Sequence, residues 1–181
     1  MIENGIGGAN TKTGLKFEDE MDFADFLLSL KGYGIAKDDN GYKEVFFNGK
    51  SVGYIFQKYD LYRFLANRGI DWKRILSKKL LPDDSIYVIV KNTLYIIEKK
   101  FQKVAGSVDE KLQTCDFKKK QYKKLLAPLN IDVEYIYVLS DWFKKPEYKD
   151  VLDYVIIVGC GYYFGYIPLE KLHLPMSEPR K

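Results

Sequence analysis

The sequence predicts an α/β fold, a mixed central β-sheet flanked by helices, and three observations carry that prediction. Between Pro82 and Gln102, two apolar runs rich in β-branched residues and tyrosine, Ile86 to Val90 and Thr93 to Ile97, are joined by Lys91-Asn92, the pattern of a tight hairpin. A helical pattern over residues 108–126 is followed directly by the apolar run Val133 to Leu139, so strand, helix and strand succeed one another. Residues 42–56, YKEVFFNGKSVGYIF, place two short strands around Asn48-Gly49, a strong hairpin signal. At 181 residues, 46% of them hydrophobic, the chain is long enough to bury one core, and a single domain over 1–181 is expected.

Residues 1–13, with Gly5, Gly7 and Gly8 among polar residues, read as a flexible N-terminal loop. The run GGANTKTG is not a phosphate loop, because Thr11 stands where that motif needs glycine and no strand precedes it. From Leu15 the pattern becomes helical, with Phe23, Phe26, Leu27 and Leu30 on one face and a stop near Gly32 and Gly34. Glu18, Asp22 and Asp25 form a separate acidic column on it. Tyr59 to Asn67 reads as a helix and Asp71 to Leu76 as a shorter one. Ser107-Val-Asp-Glu110 is a capping box opening the helix over 108–126, whose apolar side holds Val108, Leu112, Cys115, Tyr122 and Leu126. Residues 142–150 read as loop, Tyr154 to Val158 as a further strand, and Ile167-Pro-Leu-Glu-Lys-Leu172 as a short terminal helix.

Composition narrows the function classes. The formal charge is +4, from 29 basic against 25 acidic residues, which permits nucleic-acid binding without requiring it. Only Arg63, Arg68, Arg74 and Arg180 are arginine; the lysines that make up the rest suit phosphate contacts better than bidentate reading of guanine. Cys115 and Cys160 match no metal spacing or disulfide framework and read as core thiols. The single histidine, His173, excludes a histidine-rich metal site. No stretch is apolar and long enough for a membrane span and no signal-like segment opens the chain, so a cytoplasmic protein with no membrane association is expected.

The candidate chemistry sits at the ends of the apolar hairpin. Asp83 and Asp84 precede its first strand, and Glu98, Lys100 and Gln102 follow its second run at two-residue spacing, which puts them on one face with Lys99 and Phe101 on the other. A short hairpin returns its end near its beginning, so Asp83 and Glu98 can converge beside an ammonium. Mg²⁺ takes hard oxygen ligands and is usually held by one or two carboxylates plus substrate phosphate oxygens; phosphodiester hydrolysis further needs positive charge near the developing oxyanion. Ordinary strand ends also carry Asp, Glu and Lys as solvated residues, but Ile96-Ile97 marks a strand buried on both faces, where a carboxylate needs a partner. Lys73, Arg74, Lys78 and Lys79, ahead of Pro82, are either a solvated helix end or phosphate contacts. The same two readings hold for Lys118, Lys119 and Lys120 in the later helix.

Pro82-Asp83, fourteen residues, then Glu98-Lys99-Lys100 resembles the signature of the PD-(D/E)XK nuclease superfamily, which includes most type II restriction endonucleases and several repair nucleases and junction resolvases. Gly14-Leu-Lys-Phe-Glu18 is similar to its N-terminal helix motif, and Glu98-x-Lys100-x-Gln102 before Gly106-Ser-Val-Asp-Glu-Lys111 looks like stretches in restriction-enzyme-like members, so the resemblance spans about residues 14–140. It implies a restriction endonuclease-like fold and Mg²⁺, with Mn²⁺ able to substitute, held by Asp83, Glu98 and the main-chain carbonyl of Lys99. Asp84 is the alternate ligand, and Glu18 joins directly or through water. Lys100 would orient and help deprotonate the attacking water or stabilise the phosphorane. The implied activity is cleavage of double-stranded DNA at a short sequence by a homodimer, with a cognate DNA methyltransferase in the same system. A structure-specific repair or resolvase nuclease and a catalytically silent DNA-binding module are the alternatives.

Overall fold

Asn48 and Gly49 both adopt positive φ, +48° and +77°, the requirement of a two-residue hairpin turn whose twist matches its strands. They join β3 (Lys43–Phe47) to β4 (Lys50–Phe56) as the sequence predicts. The computed structural model describes residues 14–16, 22–101 and 108–180. Seven strands form one mixed sheet in the order β2 (Tyr33–Lys37), β3, β4, β5 (Asp84–Val88), β6 (Thr93–Lys100), β7 (Asp132–Leu139) and β8 (Gly161–Phe164). Neighbours from β2 to β6 are antiparallel, and β6, β7 and β8 run parallel. A separate ribbon pairs β1 (Gly14–Lys16) with β9 (Tyr166–Pro168).

Alternation along the strands sorts the core into two layers. Phe56, Leu94, Ile96, Val133, Tyr135, Tyr137 and Leu139 face the layer built from α2 (Asp60–Ala66), α3 (Val108–Leu112), α4 (Cys115–Leu126) and α5 (Lys149–Ile157). Val45, Ile55, Ile86, Val88, Tyr95, Ile97, Ile136 and Val138 face α1 (Phe23–Leu28) and the C-terminal Leu169, Leu172 and Leu174. Helices therefore cover both faces, the condition under which strands as continuously apolar as β6 are stable. Where β4 passes β5, a Cβ on Gly53 would stand 2.5 Å from the Tyr87 carbonyl oxygen. Gly53→Ala is expected to cost about 1–3 kcal/mol, seen as a lower urea midpoint at unchanged slope.

Several elements differ from the sequence expectation. Tyr154 to Val158 is not a strand but the end of α5, whose Leu152 and Val155 are buried three residues apart while Ile156 and Ile157 face outward. The β-branched run is overridden by a helical packing stripe, and the strand comes later, at β8. Leu15 lies in β1 opposite Ile167, not in a helix, and α1 starts at Phe23, with Asp22 capping it by accepting from the Ala24 amide at 3.1 Å. The helix over 108–126 is two helices; Thr114 Oγ1 donates to the Lys111 carbonyl at 2.7 Å and interrupts the ladder. The first strand of the central hairpin stops at Val88, and Ile89–Lys91 make a single tight turn that ends on Asn92 at φ +48°. Past the helix stop expected near Gly32 and Gly34, Tyr33–Lys37 form β2, an element the sequence reading did not include, and the terminal segment Leu169–Leu172 is one 3₁₀ turn. The loop over 1–13, Glu18, Gln102 and the capping serine Ser107 lie outside the described residues.

Candidate functional site

The β5–β6 register decides which carboxylates meet. Asp84 pairs with Ile97, so Asp83 stands opposite Glu98, and their side chains share the face that carries α4. Asp84 points to the opposite face, where its carboxylate meets Lys99 Nζ at 2.7 Å. The choice between the two aspartates is thus one of parity: Asp83 groups with Glu98 and Lys100, Asp84 with Lys99.

Beyond the last β5 rung, the inner edge of β6 has no strand opposite it among the described residues. Asp83 Oδ2 accepts from the Lys99 main-chain amide at 2.9 Å and so closes the open end of the hairpin. The Lys99 carbonyl accepts from Lys100 Nζ at 3.2 Å. The same ammonium is 3.0 Å from Glu98 Oε2 and 3.9 Å from Asp83 Oδ2. One positive centre is therefore gathered by Glu98, Asp83 and the Lys99 carbonyl, the three ligands that the resemblance implies.

Glu98 is 6% exposed, and its second oxygen, Oε1, meets Lys118 Nζ of α4 at 3.1 Å. Burial alone would raise its pKa, but Lys100 and Lys118 outweigh that and hold the carboxyl below its usual value. Asp84, 4% exposed, shows the opposite balance: burial pushes its pKa up, and Lys99 only partly compensates. For Asp22, burial is more than offset by the Ala24 amide, Lys43 at 3.2 Å and Gln57 at 2.9 Å, so its carboxyl is lowered.

A pH dependence follows from Glu98. A folded pKa below the unfolded value, about 4.3, means the unfolded chain binds more protons in that window, so stability rises with pH there. Wild type is expected to exceed Glu98→Gln by about 1–3 kcal/mol at neutral pH. The advantage is lost as pH falls through the folded pKa. Urea midpoints of both proteins from acid to neutral pH, in chelator, read this directly; a gap that does not change with pH would contradict it.

The remaining candidates separate. Lys118, read as either a solvated residue or a phosphate contact, pairs with Glu98. The signal was available, because Lys118 lies three residues after Cys115 and four before Tyr122, both on the buried side of α4. Lys119 is buried, with its ammonium held by Glu134 and the Gly159 carbonyl. Lys120 is exposed and pairs with Asp116 one turn away. Arg74 pairs with Asp71, Lys73 and Lys78 are exposed, and Lys79 Nζ lies over three aromatic rings. Cys115 and Cys160 are buried, as the sequence suggests. No protein-family model, curated protein or solved structure matches the chain.

Among the described residues no three or more His, Cys, Asp or Glu side chains gather at one point. A metal here would rest on Asp83, Glu98 and the Lys99 carbonyl, with water or substrate oxygens completing its shell. The donor set fits Mg²⁺ in kind, being all hard oxygen, and in number, since that ion commonly takes only one or two carboxylates from protein. No helix among the described residues is long and apolar enough to cross a membrane.

Proposed function

We propose that the chain is a Mg²⁺-dependent DNA endonuclease that hydrolyses phosphodiester bonds at the open end of the β5–β6 hairpin. The observation that carries the reading is the placement of Lys100 Nζ among Glu98 Oε2, the Lys99 carbonyl and Asp83 Oδ2, at 3.0, 3.2 and 3.9 Å. It gives the Asp83, Glu98-x-Lys100 pattern of PD-(D/E)XK nucleases a shared focus in space. Glu18, which the resemblance adds to the set, stays a proposal.

Asp83 and Glu98 would hold the cation, which when bound supplies Lewis acidity to the scissile phosphate and lowers the pKa of nearby water. The residues of the chain do the rest. Lys100 would keep an ammonium within reach of a water or phosphate oxygen. Lys118 supplies a second positive charge against the developing dianion from a helix, a rigid base that costs little reorganisation. Buried Ile96 and Ile97, under these groups, keep the strand from shifting.

Double-stranded DNA cut at a short sequence by a homodimer is the form implied by the resemblance, since one small chain cutting both strands is most simply paired on a twofold axis. A cognate methyltransferase belongs to that same reading. Mn²⁺, another oxygen-seeking divalent ion, is expected to replace Mg²⁺. A branch-preferring nuclease of the same chemistry is the second reading, favoured by the exposed Tyr59 and half-buried Trp72 rings around Lys79.

The test is plasmid DNA incubated with Mg²⁺, with Mn²⁺ and with chelator. Discrete fragments with either metal and none in chelator are expected; DNA left intact by both metals would end the proposal. Sedimentation tests the pairing: a monomer that cuts both strands at full rate would remove the dimer.

A further inference from the structure

Lys79 Nζ sits 5.0 Å from the ring centre of Tyr59, 4.9 Å from that of Tyr62 and 5.1 Å from that of Trp72. The Tyr62 and Trp72 rings meet edge to face at 5.5 Å. The cluster is asymmetric in its exposure. Tyr62 is buried, Trp72 half-buried and Tyr59 54% exposed, so two of the three rings reach the surface. Exposed Lys73 and Lys78 flank it. The surface is thus aromatic and positive at once, although a helix end needs only its charges and a core only its rings.

The cluster is tied to the candidate site. Tyr62 Oη accepts from the Leu80 amide at 2.7 Å and donates to the Leu80 carbonyl at 3.0 Å. Asp83 follows three residues later, within about 11 Å of chain.

We propose that Tyr59, Trp72 and Lys79 bind an unpaired nucleotide of a DNA strand, its base against the exposed rings and its phosphate on Lys79, so that the protein selects strand-separated or branched DNA over intact duplex. Bases inside a duplex offer their faces only to one another, so an aromatic platform takes bases that are unpaired or terminal. Lys79 is held over the rings in advance, and the phosphate contact needs little further ordering of a long side chain. The inference rests on the nuclease reading, in its branch-preferring form, for what that strand does at Asp83.

Binding is measured in chelator, where no cutting intervenes. Trp72 and Trp142 are the two tryptophans, so a Trp142→Phe protein reports from Trp72 alone. A single-stranded oligonucleotide of about 12 residues is expected to quench that fluorescence. It is expected to bind at least about tenfold more tightly than a duplex of the same sequence at the same salt. Tyr59→Ala, at an exposed position that can be lost without emptying the core, is expected to weaken single-strand binding about tenfold and leave duplex binding unchanged. Lys79→Gln is expected to weaken it and flatten its salt dependence.

No quenching, equal affinity for duplex, or a Tyr59→Ala protein with wild-type binding would overturn the proposal. Preference for single-stranded RNA, or quenching by a trimethyl-lysine peptide and not by DNA, would overturn the assignment to DNA. The two readings fail separately. Quenching without Mg²⁺-dependent cutting keeps the platform and removes the nuclease; cutting that Tyr59→Ala and Lys79→Gln leave unchanged on branched and linear DNA keeps the nuclease and removes the platform.

Discussion

Glu98→Ala and Lys100→Ala are each expected to lower Mg²⁺-dependent DNA cleavage by about 10²–10³-fold or more while leaving DNA affinity in chelator within about fivefold. The reason is positional. Glu98 is buried at the hairpin mouth and gripped from two sides, by Lys100 and Lys118. Removing it takes away the carboxylate that both the Lys100 and Lys118 ammonium groups meet, so the variant needs a urea transition beside its activity to show that it is folded. Removing Lys100 leaves Glu98 paired through Lys118, and that variant separates lost chemistry from lost structure. Equal loss of cleavage, affinity and cooperative unfolding would mean that the cluster only holds the sheet end together. Lys118→Ala should fall between, with about tenfold lower turnover at unchanged affinity, because its charge reaches the same point from a more distant support.

Asp83→Asn and Asp84→Asn should have opposite outcomes although the residues are adjacent. Asp83 faces Lys100 and closes the Lys99 amide, so Asp83→Asn is expected to reduce cleavage by about 10²-fold and to shift the activation curve to higher Mg²⁺. Asp84 lies across the sheet with Lys99, and burial raises its pKa; a neutral amide is tolerated there, and cleavage should stay within about threefold of wild type. Stability is where Asp84→Asn should register, by about 1 kcal/mol in either direction, since losing a buried ion pair and losing the cost of burying a charge oppose each other. Reversed outcomes, with Asp84→Asn inactive and Asp83→Asn active, would place the working face on the side of α1.

Much of the scaffold was legible because local physics dominates it. Asn48-Gly49 announces a hairpin through a backbone requirement that few other residues meet, and the apolar runs of β5, β6 and β7 need cover on both faces wherever they pack. The run Tyr154 to Val158 misleads because β-branched residues prefer strands only weakly, and the burial of Leu152 and Val155 on one side overrules them. Glu98 and Lys100 could be paired from spacing alone, since a strand returns every second side chain to the same face.

Sequence by itself determined the mixed sheet's central strands, the two-residue rhythm that aligns Glu98 with Lys100, and the grouping of acidic and basic residues at the hairpin ends. Tertiary structure decided what depends on register and on partners distant in the chain. Asp83 rather than Asp84 shares the face of Glu98, Lys118 reaches across from α4, Lys119 is withdrawn into the interior, and Lys79 rests over rings from α2 and the turn after it. The reason is that side-chain periodicity is a property of one element, known from its own residues, whereas the pairing of two elements is set only when both are packed and a shift of one residue would turn every side chain to the other face.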